Sequence, residues 1–368
     1  NQVGVGTNNP GYTLDVNGDI NMVGTGTFRV AGEQFVKYFP STDDSYNSPS
    51  IAIGTGSAHT NLGAGAGFSQ YSSALYIGTD AGSNVNTTGG QDLQHAIVGN
   101  FAGASITTGS RITALGYNAA SGVTTAGNIV ALGDNAAQNI DGFSIAIGSW
   151  AGGNSTGQSE VFIGNAAGAN LTGDSNVAIG DSAGEGIGAG SSASDNVFIG
   201  YYSGNAITTG DNNIFVGSQS GDVVTTGSNN IIIGDNIDPS GATVSNQLNI
   251  GGTIFGDLST DRVGIGVTNA TGIDADALLQ LDATDKGFLA PRVSNPTATI
   301  GATATGLLAY DTSTSTYQYY DGTGWKSFAT TSGGVSDADN DTKVQVEESA
   351  DEDIIRFDTA GTERMVIN

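Results

Sequence analysis

The sequence predicts an all-β protein whose central part is a parallel β-roll, a β-solenoid in which each turn of the chain stacks on the previous one. Three features of the repeat predict this fold. An apolar triplet ending in glycine recurs in tandem, a pair of small residues follows most copies, and Thr-Thr-Gly marks a second corner in several of them. Short segments rich in Val, Ile and Phe between glycine-rich corners are typical of strands.

The glycine that ends each apolar triplet, as in SNVAIG at Ser175–Gly180, anchors the repeat. Three positions and one position before this glycine, the residue is nearly always Ile, Leu or Val, and these two positions share one face of a strand. We interpret that face as the core. The twelve anchors are Gly54, Gly78, Gly99, Gly116, Gly133, Gly148, Gly164, Gly180, Gly200, Gly217, Gly234 and Gly251.

The position between the two flanking residues points to the opposite face and is apolar in eleven of the twelve copies. A strand that is apolar on both faces is buried on both, so something beyond a single roll is expected to cover the second face. After the anchor come a two-residue spacer and a small pair such as Ala167-Gly168, and many units continue to Thr-Thr-Gly, as at Thr208–Gly210. Each unit is therefore predicted to contain two short strands and two corners.

The tandem NVAIG copies with their small-residue corners resemble the head repeats of trimeric autotransporter adhesins and similar repeats in phage tail fibres. The resemblance covers about residues 50–252. It implies left-handed parallel β-rolls packed three around an axis, in a homotrimer whose middle positions face that axis. The implied interface residues are Ala146, Phe162, Ala178, Phe198, Phe215 and Ile232.

The flanks carry a different resemblance. Residues 1–20, NQVGVGTNNPGYTLDVNGDI, look like a module common in phage tail fibres and related surface fibres, and residues 262–283 are a diverged copy. Residues 286–328 are similar to another fibre-associated β module, in which YQYYDGTGW predicts a hairpin around Asp321-Gly322. In such fibres ERMVIN is usually followed by the VGIG module, so both ends of the sequence are expected to be cuts through a longer fibre.

These resemblances divide the chain into five predicted domains. They are an N-terminal fibre-type β module at 1–49, the β-roll shaft at 50–252, a connector with the second VGIG module at 253–285, a small β-hairpin module at 286–332 and an acidic C-terminal β module at 333–368.

Composition excludes several classes of function. The 368 residues carry a formal net charge of −26 with only 10 Lys and Arg, and Arg111 is the single basic residue between Tyr38 and Asp261. Such a surface repels phosphates, so no nucleic-acid partner is expected. No apolar run is long enough to span a bilayer, so no membrane insertion is expected. The absence of cysteine excludes disulfides and thiolate metal sites.

One segment has the spacing of a calcium site. In DADNDTKVQVEE, Asp337, Asp339 and Asp341 alternate and Glu348 falls at the twelfth position of a calcium-binding loop. Thr342 stands where that loop requires glycine and no helices flank the segment, so a solvated acidic turn between strands is the favoured interpretation. No cofactor is predicted, and calcium at this segment is the one alternative.

No catalytic residue is predicted. His59 and His95 are the only histidines, and the aspartates that follow the anchors, Asp134, Asp181 and Asp235, are interpreted as turn formers rather than catalytic carboxylates. Aromatic rings stack on sugars with little loss of entropy, which favours one set of residues as a contact for host-surface glycan. That set is Tyr317, Tyr319, Tyr320 and Trp325.

Together with the resemblance, these observations predict a non-enzymatic, homotrimeric fibre segment. Its expected setting is extracellular, in a phage tail fibre or similar virion appendage, where it joins other fibre or virion proteins and supports attachment to the host surface. One alternative is a bacterial surface adhesin or extracellular filament subunit. The other is a β-helical polysaccharide-degrading enzyme, because a fold alone does not fix a function.

Overall fold

The computed structural model describes most of the chain between residues 74 and 328 and shorter segments on either side. The described ranges are 3–5, 14–16, 27–30, 33–39, 50–54, 74–85, 94–188, 190–301, 304–328, 335–336, 342–346, 355–359 and 362–367. The chain forms two compact units, Asn1–Thr284 and Asp285–Asn368. The finer domain boundaries stay a prediction.

The first unit opens with short paired strands. Strands β1 (Val3–Val5) and β2 (Leu14–Val16) pair in parallel. Strands β3 (Thr27–Val30) and β4 (Glu33–Phe39) pair antiparallel, and β4 also pairs antiparallel with β5 (Ser50–Ile53).

Twelve strands, β5 to β16, form one parallel ladder in chain order, and this confirms the predicted parallel β-solenoid. Equivalent residues of successive coils lie side by side, as Phe198 lies beside Phe215. After β5 the strands are β6 (Ala74–Ile77), β7 (His95–Val98), β8 (Ile112–Leu115), β9 (Ile129–Leu132), β10 (Ile145–Ile147), β11 (Val161–Ile163), β12 (Val177–Ile179), β13 (Val197–Ile199), β14 (Ile214–Val216), β15 (Ile231–Ile233) and β16 (Gln247–Ile250).

Each described coil contributes one strand to the ladder, so the prediction of two strands per unit is wrong. The described Thr-Thr-Gly segments are bends rather than second strands. Hydrogen bonds nevertheless join successive coils at these bends. Thr208 N donates to the Thr225 carbonyl oxygen at 2.9 Å. The anchor glycines are required by geometry: Gly180 has a φ of +137°, and a Cβ there would collide with the Gly200 carbonyl oxygen.

The ladder ends in an antiparallel section. Strand β17 (Ile254–Asp257) pairs antiparallel with β16 and with β18 (Arg262–Ile265), a 3-10 turn follows at Ala270–Gly272, and β18 pairs in parallel with β19 (Leu279–Leu281). Val263, Gly264 and Ile265 lie opposite β19 just as Val3, Gly4 and Val5 lie opposite β2. The two segments identified from sequence as copies thus share one strand pairing.

The second unit contains two four-stranded sheets. In the first sheet, β20 (Arg292–Val293) pairs in parallel with β21 (Leu308–Asp311). Strand β22 (Thr316–Tyr320) pairs antiparallel with β21 and with β23 (Trp325–Ser327). A short helix, α1 (Pro296–Thr299), lies between β20 and β21 in the chain. In the second, β24 (Val335–Ser336), β25 (Thr342–Val346), β26 (Ile355–Thr359) and β27 (Thr362–Ile367) are antiparallel neighbours.

The predicted hairpin around Asp321-Gly322 is present. Tyr320 lies beside Trp325 across the turn. The Asp321 carboxylate accepts hydrogen bonds from the Thr323 hydroxyl and from the Thr323 and Gly324 backbone N–H groups, and these lower the pKa of Asp321 to about 2.

The core of the roll lies on the face formed by the middle positions of the triplets, opposite to the predicted face. The middle residue of every triplet from β5 to β15 has 0% of its surface exposed in the single chain. The residue before each described Thr-Thr corner, such as Ile106, Ile207 or Val224, completes the same cluster. The flanking positions point outward.

This placement corrects the predicted interface. Alternation along a strand defines two faces, but it does not say which of them the coil closes around. The chain closes around the middle positions, so these residues contact other parts of their own chain rather than a partner. They are Ala146, Phe162, Ala178, Phe198, Phe215 and Ile232.

Candidate interaction surface

The outer face of the twelve-stranded ladder is an apolar surface with one polar position, Thr113, and is here named the outer stripe. Its two columns are the flanking positions of each triplet, and none of their side chains is buried in the single chain. The outer stripe consists of Ile51, Ile53, Leu75, Ile77, Ala96, Val98, Thr113, Leu115, Val130, Leu132, Ile145, Ile147, Val161, Ile163, Val177, Ile179, Val197, Ile199, Ile214, Val216, Ile231, Ile233, Leu248 and Ile250.

The chemistry of the outer stripe differs from that of the rest of the chain. It contains no charged residue, although the chain carries 36 Asp and Glu. Several of its members are more than a third exposed, for example Leu115 at 53% and Ile145 at 39%. At about 4.8 Å per strand the stripe is roughly 50 Å long, well beyond the scattered apolar residues of an ordinary surface. A surface of this size and composition is typical of protein–protein contact.

A ladder of buried amides runs beside the core at the position just before the triplet. Asn176, Asn196, Asn213 and Asn230 have 0% exposure. The Asn196 Oδ1 atom accepts from the backbone N–H of Asn213 at 2.9 Å and from its Nδ2 at 3.0 Å, and the same pair of bonds joins Asn213 to Asn230. Each Nδ2 also donates to a backbone carbonyl, as Asn213 does to Gly227 at 2.9 Å. The ladder is thereby satisfied without water.

Glu160 occupies the ladder position in the coil before Asn176 and is completely buried. Its Oε2 accepts from the Asn176 backbone N–H at 2.8 Å, and its own N–H donates to the Ser144 hydroxyl at 3.2 Å. Burial raises the pKa of Glu160 to about 8, with a smaller contribution from the nearby carboxylates of Asp174 and Asp195. Near neutral pH this side chain is a neutral acid that extends the amide ladder.

The sequence analysis missed this ladder, although the signal was present. Asn stands directly before the triplet in four successive copies, at a position that elsewhere holds Ile112 or Ile129. A buried column that changes from apolar to amide identifies stacked side chains in register, since such a ladder needs equivalent residues in adjacent coils.

The four aromatic residues predicted to contact glycan lie on two faces of the β20–β23 sheet. Tyr317 and Tyr319 are exposed at 42% and 38% on one face, whereas Tyr320 and Trp325 pair on the other, with ring centroids 5.8 Å apart. They therefore form no single platform. Glycan contact stays a prediction.

The first of these two faces is here named the aromatic face and comprises Leu308, Tyr317, Tyr319 and Phe328. Leu308 lies directly opposite Tyr319, and Phe328 follows β23 and donates its N–H to the Tyr317 carbonyl oxygen at 3.1 Å. All four side chains are more than a third exposed.

The candidate metal and acid–base residues are not brought together in the described part. Asp337, Asp339, Asp341 and Glu348 lie outside the described residues, and no metal-binding group of three acidic or histidine side chains is found within them. His59 is also outside them. His95 is buried at 3% exposure, with Nδ1 3.4 Å from the Tyr76 hydroxyl and Nε2 3.0 Å from the Gly109 carbonyl oxygen.

The corner aspartates bond to neighbouring side chains, as turn residues do. Asp134 accepts from Asn135 Nδ2 at 2.9 Å, and Asp181 accepts from the Ser182 hydroxyl at 3.2 Å. Asp235 is exposed at its own corner. These contacts give no catalytic arrangement.

Two adjacent cavities of about 290 and about 320 Å³ lie where the parallel ladder ends, and Gln247 contributes to both. Gln247 is engaged with Ser240, and Asp257 contacts Arg262 at 2.8 Å. A hydrogen bond from the Ser259 hydroxyl lowers the pKa of Asp257, and a hydrogen bond from Arg262 lowers it further by a smaller amount. The linings of these two cavities contain neither histidine nor lysine.

The fold and the outer stripe define a β-solenoid protein with a large apolar face suited to self-association. In agreement with this, residues 264–343 match a family described as the phage tail-like trimerisation region. The solenoid and this match fit a phage tail-fibre-like protein, and the match supports assembly as a homotrimer. No match was found among curated proteins or among solved structures. In the described residues, no helix has the length and apolarity needed to cross a bilayer.

Proposed function

We propose that the chain is a non-enzymatic structural segment of a phage tail fibre, in which three copies form a stiff shaft that supports attachment of the virion to its host surface. The observation that carries this proposal is the match of residues 264–343 to a phage tail-like trimerisation region in a chain that also builds a twelve-stranded solenoid.

The outer stripe is the proposed contact between the three rolls. Removing aliphatic side chains from water contributes about 25 cal/mol for each Å² buried, and the stripe repeats the same two aliphatic positions over twelve coils. Its freedom from charge is required for this role, because three acidic chains brought together would otherwise bury carboxylates at their contact. Stacked coils with nearest-neighbour interfaces give a shaft its length and stiffness.

Electron microscopy tests the setting. Antibodies raised against the purified protein should label the tail fibres of intact phage particles, and excess purified protein should slow adsorption of those particles to host cells if it carries a receptor contact. Labelling confined to a bacterial cell surface would contradict the phage assignment and favour the adhesin alternative.

Incubation with host-surface polysaccharide tests the absence of catalysis. A shaft should leave the length of the polysaccharide unchanged. Turnover abolished by one aspartate substitution would overturn the structural assignment in favour of a polysaccharide-degrading enzyme.

A further inference from the structure

We propose that the aromatic face of the β20–β23 sheet is a second contact between copies of this chain, occupied by the same face of the neighbouring copies. This inference rests on the homotrimer proposed above and adds a contact in the second unit, separate from the outer stripe.

The two faces of this sheet are covered differently. On one face Ala309 is 0% exposed and Asp311 is 4% exposed. The Asp311 carboxylate there accepts from the Asn295 backbone N–H at 3.2 Å and from Gln318 Nε2 at 3.2 Å, so the segment that leads into α1 lies over this face. On the aromatic face, Leu308, Tyr317, Tyr319 and Phe328 are between 37% and 51% exposed.

No strand residue of the aromatic face is acidic, and the carboxylate at its edge, that of Asp321 in the hairpin turn, lies 3.9 Å from Lys326 Nζ. Besides its four apolar members, the residues that point to the same side of the strands are Arg292, Tyr310 and Lys326. The Arg292 guanidinium lies 6.0 Å from the centre of the Tyr310 ring. In a chain with a net charge of −26, a sheet face whose strands carry Arg292 and Lys326 but no acidic residue is a surface on which acidic copies approach each other without burying carboxylates against one another.

The occupant is identified by position in the chain. All four strands of the sheet lie inside residues 264–343, the segment that matches a trimerisation region. Copies related by a threefold axis turn the same face toward that axis, so an apolar sheet face within such a segment is the surface expected to meet the equivalent faces of the other two copies there.

The ring geometry does not favour glycan as the occupant. The Tyr310 and Tyr317 rings are 5.1 Å apart at 74°, and the Tyr319 and Phe328 rings are 5.2 Å apart at 49°. These rings pack edge to face or tilted against each other, so they present no flat surface for a sugar ring.

Single-cysteine variants of the full chain test the contact, because the chain contains no cysteine. Tyr319→Cys places a thiol on the aromatic face, and Ser327→Cys places one on the opposite face of the same sheet, where Ser327 is exposed. We expect maleimide to label the intact oligomer at position 319 roughly tenfold or more slowly than at position 327, because a thiol in a contact reacts only when that contact opens.

Equal labelling rates in a sample whose mass is that of a trimer would overturn this inference and leave the proposed shaft intact. A monomeric wild-type chain would contradict both. Protection at position 319 that appears only after host-surface polysaccharide is added would assign the face to glycan instead. Phe328→Cys repeats the measurement on the same face in case Tyr319→Cys does not fold.

Discussion

The inner and outer faces of the roll are built on the same twelve strands, and both are apolar, yet their compositions follow different rules. The inner position varies from Ala131 to Phe162, whereas the two outer columns contain almost only Ile, Val and Leu. Variation on the inside is accommodated by glycine in the same coil and in the coil before: a Cβ at Gly168 would collide with the Phe162 ring of its own coil, and a Cβ at Gly184 with the Phe198 ring of the next. An enclosed core is filled coil by coil, and the uniform outer columns present a regular surface to a partner.

The largest expected effect comes from a charge on the inner face. Phe198 is completely buried and packs at 5.5 Å, centroid to centroid, against Phe215 of the next coil. Phe198→Asp should abolish the roll, at a cost of more than about 4 kcal/mol, because a carboxylate in a dry core has no partner. Circular dichroism should show loss of the strand signal. A variant that keeps its strand signal but no longer forms the oligomer would show that the middle positions lie in the interface between chains and not in the core.

Overfilling the core should cost less. Gly204 has a φ of +61°, and a Cβ there would meet the Phe198 ring. Gly204→Ala should lower the free energy of unfolding by about 2–4 kcal/mol, combining backbone strain with overpacking. Gly188→Ala is the matched control, because its φ is +79° and nothing lies within 4 Å of the added Cβ. Equal falls in thermal midpoint would show that the collision with Phe198 contributes nothing.

Breaking the amide ladder should have a smaller effect. Asn213→Ala removes the acceptor of the Asn230 N–H and Nδ2 groups, and takes away the Nδ2 donor to the Asn196 Oδ1 atom, which keeps only the backbone N–H of residue 213. The expected loss is about 1–3 kcal/mol in denaturant unfolding, the cost of buried polar groups without partners. Asn165→Ala, at an exposed asparagine, should change the stability by less than about 0.5 kcal/mol. An Asn213→Ala variant with an unchanged free energy of unfolding would show that water replaces the lost hydrogen bonds of the ladder.

The buried Glu160 should make the stability depend on pH. The pKa of Glu160 is raised to about 8 in the folded chain from an ordinary value of 4.5. The folded state therefore retains a proton that the unfolded state releases, so stability is lost as the pH rises from about 4.5 to about 8 and is constant above that. Glu160→Gln should reduce the fall in thermal midpoint between pH 5 and pH 8.5, measured in matched buffers. An unchanged pH profile would show that Glu160 ionises normally.

Much of the fold was predictable from the sequence. The anchors, the parallel stacking and the hairpin at Asp321-Gly322 follow from local rules: glycine where a Cβ collides with the next coil, alternation along strands, and turn residues between aromatic strands. Which face the coil encloses was not predictable from alternation, because alternation is symmetric between the two faces. The glycines whose Cβ would collide with a middle side chain, as Gly168 with Phe162 and Gly184 with Phe198, identify the enclosed face in the structure.

The candidate surfaces were less predictable. The outer stripe was visible as a pattern and assigned to the core, since a single sequence does not show what covers a face. Alternation along β22 already separates Tyr317 and Tyr319 from Tyr320, whereas the position of Trp325 beside Tyr320 depends on strand register, which the hairpin loop fixes in the folded chain. The burial of Glu160 does not follow from its residue type; it follows from its coil position, which places it in the amide ladder.

The mass in solution of an outer-face variant tests the central claim most directly. Ile163 and Ile199 both lie in the outer stripe and are each 37% exposed in the single chain. Light scattering of the wild-type chain should give three times the chain mass. Ile163→Asp combined with Ile199→Asp should give the mass of one chain with the strand signal retained, because a closed core remains and six carboxylates would otherwise be buried at the trimer contact. A double variant that stays trimeric, or a wild-type chain that is monomeric, would contradict the assignment of the outer stripe as the interface.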